Sequence, residues 1–98
     1  MEKLQENAVA ISLEFKGMTE ETYNQLLKEA VPTGTLTPGD LFHLAGPIEG
    51  GFKVINVWES QAKLDAFFQN VMGPALGRTG TPQPEVQIWP VYRMMKAN

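Results

Sequence analysis

The sequence contains no cysteine and a single histidine, His43. Without a thiol the chain cannot form disulfides, cysteine-ligated zinc sites, iron–sulfur clusters or a thiolate nucleophile. One histidine cannot form a multi-histidine metal site, and few carboxylates lie near it along the chain. We therefore expect no metal and no cofactor.

Basic residues are also scarce, with eight Lys and Arg against eleven Asp and Glu and a net charge of −3. They are scattered along the chain, whereas nucleic-acid-binding surfaces usually carry clustered Lys and Arg. No apolar stretch approaches the roughly 20 residues that cross a bilayer, and no apolar segment of a signal peptide follows the polar residues 1–7. These features predict no nucleic-acid partner, no membrane association and a cytoplasmic location.

What the chain does contain is the balance of a packed globule, with 98 residues of which 43% are apolar and 19% are charged. No internal repeat and no long linker divides the sequence. We expect a single domain over residues 1–98 with a folded core at about 8–94.

The first half of the chain carries the clearest periodicity. The apolar residues of 9–15 alternate with smaller or polar ones, and this period of two predicts a strand with one strongly apolar face. Thr19 then provides an N-cap, and the acidic pair after it suits the first turn of a helix. A helix is predicted over 20–30.

The second half predicts a hairpin, a helix and a final strand. Strands at 41–45 and 52–59 flank the turn signal at 49–51, and Gly46-Pro47 is expected to end the first of them. Ser60 is expected to cap the second helix. The second helix is predicted over 61–76, interrupted at 73–74 and closed by Gly77. A last strand is predicted over 85–94.

The order of these elements is strand, helix, strand, strand, helix, strand. Right-handed crossovers make the ferredoxin-like β-α-β-β-α-β arrangement the simplest solution, an α+β fold with a four-stranded antiparallel sheet. Strands two and four then lie at the edges of the sheet. Pro47 and Pro90 fall on those strands, and proline in a sheet is tolerated chiefly at edges or bulges.

The two faces of this sheet are assigned by their apolar character. The more aliphatic set, expected to pack against the helices, is Val9, Ile11, Leu13, Ile55 and Val57. The opposite, open face is then expected to carry Ala10, Ser12, Val54, Asn56 and Trp58, together with Leu41, His43 and Ala45 if the hairpin loop has an even length. The last strand contributes either Trp89 and Val91 or Ile88 and Tyr92, because a bulge at Pro90 leaves its phase open.

An open face of this composition is too apolar to remain bare in water. Face-to-face pairing with a second copy would bury it, and homodimers are the commonest oligomers, so we expect a homodimer through the open sheet face. The alternative is a monomer whose C-terminal segment folds across the face.

Five stretches of the sequence resemble a known family. They are residues 39–46 (GDLFHLAG), 49–52 (EGGF), 57–60 (VWES), 64–68 (LDAFF) and 73–76 (GPAL). Together they are similar to the small dimeric α+β barrel proteins grouped near the antibiotic-biosynthesis monooxygenases, and the resemblance covers residues 8–92. It implies a dimeric α+β barrel fold. The activity it implies is cofactor-independent oxidation of aromatic, polyketide-like substrates in a cavity between helices and sheet.

The same superfamily includes haem-degrading proteins that hold iron through a histidine on the second helix. The predicted second helix of this chain, 61–76, contains no histidine. Haem chemistry is therefore not expected.

His43 is the candidate catalytic residue, because histidine takes up and releases protons near neutral pH; the alternative is a histidine that only hydrogen-bonds the backbone or a partner subunit. The candidate substrate-binding residues are Ser12, Asn56 and Trp58. Asn56 would orient a substrate carbonyl or satisfy a neighbouring backbone group, and Trp58 would wall a pocket or fill a dimer core. Ser12 completes the polar set, without a Ser-His-acid arrangement.

These residues support an enzyme, a cofactor-independent monooxygenase or isomerase that acts on a small apolar or aromatic substrate. The alternative is a non-catalytic ligand-binding protein or a purely structural homodimer. The sequence leaves open whether the protein is catalytic at all.

Overall fold

The computed structural model describes residues 7–95 and 97, so the polar N-terminal stretch, apart from Asn7, lies outside the described residues. The strands are β1 (Val9–Lys16), β2 (Asp40–Ile48), β3 (Gly51–Trp58) and β4 (Glu85–Pro90), and the helices are α1 (Glu20–Ala30), α2 (Gln61–Phe67) and α3 (Gly73–Thr79). A π-helical segment, Phe68–Met72, joins α2 to α3.

The strands form one antiparallel sheet in the order β2-β3-β1-β4. This is the predicted ferredoxin-like α+β arrangement, with β2 and β4 at the edges. No helix among the described residues is long and apolar enough to cross a membrane.

Helix α1 begins and ends where the sequence predicts. The Thr19 hydroxyl accepts a hydrogen bond from the Thr22 backbone N–H at 3.2 Å, and the Thr22 hydroxyl accepts one from the Thr19 N–H at 2.8 Å. This reciprocal capping satisfies two amides that the first helical turn leaves unpaired. Glu20 and Glu21 lie in that first turn.

Strand β2 is longer than predicted. It does not end at Gly46-Pro47 but continues to Ile48, with Pro47 opposite Phe52 of β3. Because β2 is an edge strand, the missing amide of Pro47 removes no hydrogen bond from the sheet interior. Strand β4, by contrast, ends at Pro90, four residues earlier than predicted.

The second helical region is continuous but irregular. Ser60 caps it as predicted, accepting from the Lys63 N–H at 3.2 Å. The irregularity lies at the π-helical turn just before Gly73 rather than at 73–74, where Pro74 occupies the first turn of α3 without breaking it. The end is formed by Gly80, with a left-handed φ of 69°, so the prediction that Gly77 closes the helix is wrong.

The register corrects the predicted faces of the sheet. Ile11 lies opposite Asn56 and Leu13 opposite Val54, so these four side chains share the face that the helices cover. The assignment of β1 is confirmed, but that of β3 is inverted. Val54, Asn56 and Trp58 lie on the helix-covered face with His43 and Ala45, and Ile55 and Val57 lie on the open face.

The reason for the inversion is volume. Trp58 is 1% exposed and fills the space beneath the helices, where its ring lies 5.1 Å from that of Phe67. Aliphatic character alone favoured Ile55 and Val57 for this position, but the larger aromatic side chain buries more surface there. The hairpin closes through a two-residue loop, Glu49 and Gly50, which fixes this register.

The open face is apolar as predicted, and it keeps Ala10 and Ser12, but Phe42 and Leu44 lie there in place of His43 and Ala45. Phe42, Leu44 and Trp89 are 42%, 47% and 43% exposed. Trp89 lies opposite Ala10, so the phase of β4 follows the first of the two alternatives. The described C-terminal residues do not bury themselves against the body, since Tyr92 is 92% exposed.

Candidate functional site

A cavity lies between α1, the π-helical segment and the helix-covered face of the sheet. Its wall is mostly apolar and includes Ile11, Leu13, Leu26, Val54, Trp58 and Phe67. The cavity volume is about 40 Å³, room for about three water molecules. It is smaller than the roughly 150 Å³ apolar cavity that accommodates benzene, so a ligand of that size enters only if side chains in the wall move.

Four polar side chains meet in this apolar wall. Tyr23 comes from α1, Asp40 and His43 from β2, and Asn56 from β3. His43 lies directly opposite Asn56 in the sheet. Asp40 reaches the same face because a β-bulge between Asp40 and Phe42 inserts one extra residue and reverses the alternation of side chains.

The four side chains form a continuous hydrogen-bonded chain. Tyr23 Oη lies 2.7 Å from His43 Nε2, His43 Nδ1 lies 3.3 Å from Asn56 Oδ1, and Asn56 Nδ2 donates to Asp40 Oδ2 at 2.7 Å. We refer to these residues as the polar chain.

Donors and acceptors give the polar chain a direction. An ionised carboxylate only accepts hydrogen bonds, so Asn56 turns its NH₂ group to Asp40 and its carbonyl oxygen to His43. The His43 Nδ1–H then donates to that oxygen, and in the neutral imidazole the free electron pair is on Nε2. The Tyr23 hydroxyl donates to Nε2. Protons can therefore move from the Tyr23 end towards His43.

Burial changes the acidity of both ends of the polar chain. Desolvation raises the pKa of Tyr23 above its ordinary value of 10.0, which keeps its hydroxyl protonated near neutral pH. Desolvation also raises the pKa of Asp40 above 3.8, against the opposing effects of the Phe42 N–H, the Asn56 amide and His43. The charged form of Asp40 is thus costly to keep in the cavity wall.

Three of the four residues singled out in the sequence come together here. His43, Asn56 and Trp58 all line the cavity. Ser12 does not, because it lies opposite Ile55 and Gln87 on the other face of the sheet, where it is 4% exposed. The predicted grouping of Ser12 with His43 is therefore wrong.

Sequence reasoning missed Tyr23 and Asp40 as site residues. Tyr23 stands on the apolar stripe of α1, where a tyrosine looks like a core residue until the strand beneath it is known. A strict period of two places Asp40, three residues before His43, on the opposite face, and the bulge that overrides this period has no clear sequence signal. Within the part of the chain that the structure describes, no three His, Asp or Glu residues cluster as metal ligands.

Comparisons with known proteins identify the fold. No protein-family model matches the sequence, and no curated protein matches it. Solved structures do match. A putative antibiotic biosynthesis monooxygenase from Chloroflexus aurantiacus has a TM-score of 0.67 at 12% identity, covering 92% of this chain and 98% of that one.

Two further structures give the same result. The NE2512 protein of unknown function from Nitrosomonas europaea has a TM-score of 0.72 at 14% identity, with 96% and 98% of the two chains covered. SnoaB, a cofactor-independent oxygenase from Streptomyces nogalater, solved as a point mutant, has a TM-score of 0.67 at 8% identity, with 94% and 99% covered. The chain thus has the ferredoxin-like fold of the antibiotic biosynthesis monooxygenase-like structures.

Proposed function

We propose that the chain is a cofactor-independent enzyme, monooxygenase-like or an isomerase, that removes a proton from a small, largely apolar substrate. The observation that carries this proposal is the polar chain, which brings a histidine hydrogen-bonded at both ring nitrogens into an apolar cavity. A hydroxylated or enolisable aromatic compound matches the chemistry of this wall, because it offers an apolar body and one acidic proton, and it enters when the wall side chains move. The fold shared with SnoaB, a cofactor-independent oxygenase, supports this reaction class.

In the proposed first step the Tyr23 hydroxyl lies between the substrate and His43. A phenolic or enolic O–H of the substrate gives its proton to Tyr23 Oη while Tyr23 passes its own proton to His43 Nε2. The step yields a substrate phenolate or enolate and a histidinium, and Tyr23 ends with its hydroxyl intact.

Two reactions can follow from the same anion. With dioxygen as oxidant, a phenol with a C–H opposite its hydroxyl becomes a quinone, one oxygen atom entering the ring and the other leaving as water. Without dioxygen, the enolate takes the proton back from the histidinium at carbon instead of at oxygen, which converts the enol into its keto isomer. Both need the anion to form first, so His43 is the proton acceptor in either reaction.

The rest of the polar chain holds His43 in its reactive form. Asn56 accepts the Nδ1–H and fixes the tautomer, and Asp40 fixes the orientation of the Asn56 amide. The negative charge of Asp40 also favours the histidinium that the step creates. Trp58, buried behind these groups, forms the wall on which an aromatic substrate packs.

The test is turnover of a panel of hydroxylated aromatic compounds, followed by oxygen consumption and product analysis. We expect activity in the wild type and a loss of about 10²-fold or more in His43→Ala, the usual contribution of a positioned acid–base group. No turnover by either protein, or undiminished activity in the variant, would overturn the proposal. Oxygen consumption separates the oxygenase from the isomerase.

A ligand that binds without turnover would instead favour a non-catalytic small-molecule-binding protein. The small size of the cavity is the observation that supports this alternative, because a reaction with dioxygen requires room for both substrate and oxygen. A ligand-induced rise in Tm with no product formed would distinguish the binding protein from the enzyme.

The open sheet face is covered, in this proposal, by a second copy of the chain. Phe42, Leu44 and Trp89 each expose more than two fifths of their surface there, and the described C-terminal residues leave them uncovered. Light scattering should give a mass of twice 10.9 kDa. Leu44→Glu, which places a charge on the apolar open face, should reduce that mass to one chain. A monomeric wild type would contradict the homodimer.

A further inference from the structure

One oxygen atom of the polar chain takes no part in the proposed proton transfer. Asp40 Oδ2 accepts from Asn56, but Oδ1 is buried and has no hydrogen-bond partner among the described residues. The Phe42 N–H is near enough to lower the pKa of the carboxyl group, yet it does not meet hydrogen-bond geometry with Oδ1. Buried carboxylate oxygens without a partner are rare in native proteins and need an explanation.

The neighbouring side chains do not supply the missing donor. The Tyr23 hydroxyl is engaged with His43, and the His43 Nδ1–H is engaged with Asn56. The rest of the cavity wall is apolar. No side chain among the described residues donates to Oδ1, so this oxygen is open to a donor from a molecule that enters the cavity once the wall side chains move.

We infer that Asp40 is a specificity-determining residue that selects ligands carrying a hydroxyl group to donate to its free carboxylate oxygen. This inference rests on the proposed function, since both place the ligand in the same cavity. Within the hydroxylated aromatic compounds of the proposed function, the expected ligand is a small one with two hydroxyl groups. One hydroxyl would contact Tyr23, which is hydrogen-bonded to His43, and the other would donate to Asp40 Oδ1. A hydroxyl suits this position better than an ammonium group, because an otherwise apolar wall penalises a buried cation.

The test measures binding rather than turnover, and its probes are resorcinol and hydroquinone with their monomethyl and dimethyl ethers. Titration calorimetry under anaerobic conditions keeps the probes reduced. We expect at least one diol to bind about tenfold or more tightly than its monomethyl ether, as a hydrogen bond to a charged group implies. The dimethyl ether should bind most weakly.

The Asp40→Asn variant tests whether the preference for diols depends on Asp40 Oδ1. The new amide oxygen can accept from Asn56, so its NH₂ group takes the position of the free carboxylate oxygen and donates where the wild type accepts. The diol should then lose its advantage, and the monomethyl ether should bind equally or more tightly. Asp65→Asn, on the exposed surface of α2, is the matched control and should keep the wild-type order.

The wild-type ratios test the inference even if the Asp40 variant does not fold. Absence of binding by both diols overturns it, and so does equal binding of diol and monomethyl ether, the result expected if a water molecule serves Oδ1. An unchanged preference in Asp40→Asn also overturns it. If the protein prefers diols but turns over no substrate, Asp40 selects the ligand and the proposed enzyme is refuted. If it turns over substrate without preferring diols, the enzyme is supported and the selection by Asp40 is refuted.

Discussion

Replacing Tyr23 with phenylalanine removes one oxygen atom from the polar chain and leaves the ring in place. That ring stacks on Phe52 with centroids 5.3 Å apart, and Tyr23→Phe keeps this contact. The lost group is the hydroxyl that donates to His43 Nε2 at 2.7 Å. The variant therefore isolates one hydrogen bond from the packing of α1 on the sheet.

Tyr23→Phe should change stability and activity by different amounts. One hydrogen bond between neutral groups contributes about 1 kcal/mol net, which corresponds to a decrease in Tm of about 4–8 °C for a domain of this size. If Tyr23 relays the substrate proton, kcat should fall by about 10²-fold or more, because the acid–base contact is made in the transition state. KM should change much less, since the apolar wall is intact.

Steady-state kinetics and thermal unfolding, measured on the same preparations, check both numbers. The matched control is Tyr92→Phe, which removes the same atom from a side chain that is 92% exposed and should change neither quantity. A Tyr23→Phe variant with the wild-type kcat would refute the relay. A fall in kcat that tracked the loss of folded protein would reduce Tyr23 to a structural role.

Three further predictions follow from burial and backbone geometry. Trp58→Ala should destabilise by about 3–5 kcal/mol in urea unfolding, whereas Trp89→Ala, on the exposed face, should cost much less in the monomer. Burial raises the pKa of Asp40, so the protonated side chain stabilises the fold below pH 3.8 and this contribution is lost as pH rises through the folded-state pKa. Urea unfolding at several pH values should show the free energy of unfolding falling over this range in the wild type. Asp40→Asn should not show this fall. Gly80→Ala, at φ 69°, should destabilise by about 1 kcal/mol, while Gly77→Ala, with open space at its Cβ and no left-handed φ, should not.

The sequence was sufficient for the order of the elements because each has a local cause. The capping residues around Thr19 define the start of α1, and alternation in β1 assigns its faces correctly. The pairing of His43 with Asn56 was predicted only for a hairpin loop of even length, and the two-residue loop of the structure meets that condition. These are properties of neighbouring residues, which a sequence displays directly.

The composition of the site could not be predicted in the same way. Which face of β3 meets the helices depends on how Trp58 and Phe67 fill a shared volume, and the two residues belong to different elements. The bulge at Leu41 turns Asp40 towards the cavity although alternation alone turns it away. Tyr23 meets His43 only when α1 packs on the sheet. Each of these depends on tertiary packing rather than on local pattern.

The corrected register has a consequence for function, because it separates two roles that the sequence had placed on one face. With His43, Asn56 and Trp58 under the helices, the residues of the proposed chemistry no longer compete with Phe42, Leu44 and Trp89 for the same surface. Had His43, Asn56 and Trp58 been on the open face, as predicted, a substitution that weakened the dimer would also have altered the site. In the observed arrangement the sheet lies between them, so Leu44→Glu probes assembly and His43→Ala probes chemistry from opposite faces. A coupled loss in both variants would mean that the second copy completes the cavity across the sheet edge, where β2 contributes side chains to both faces.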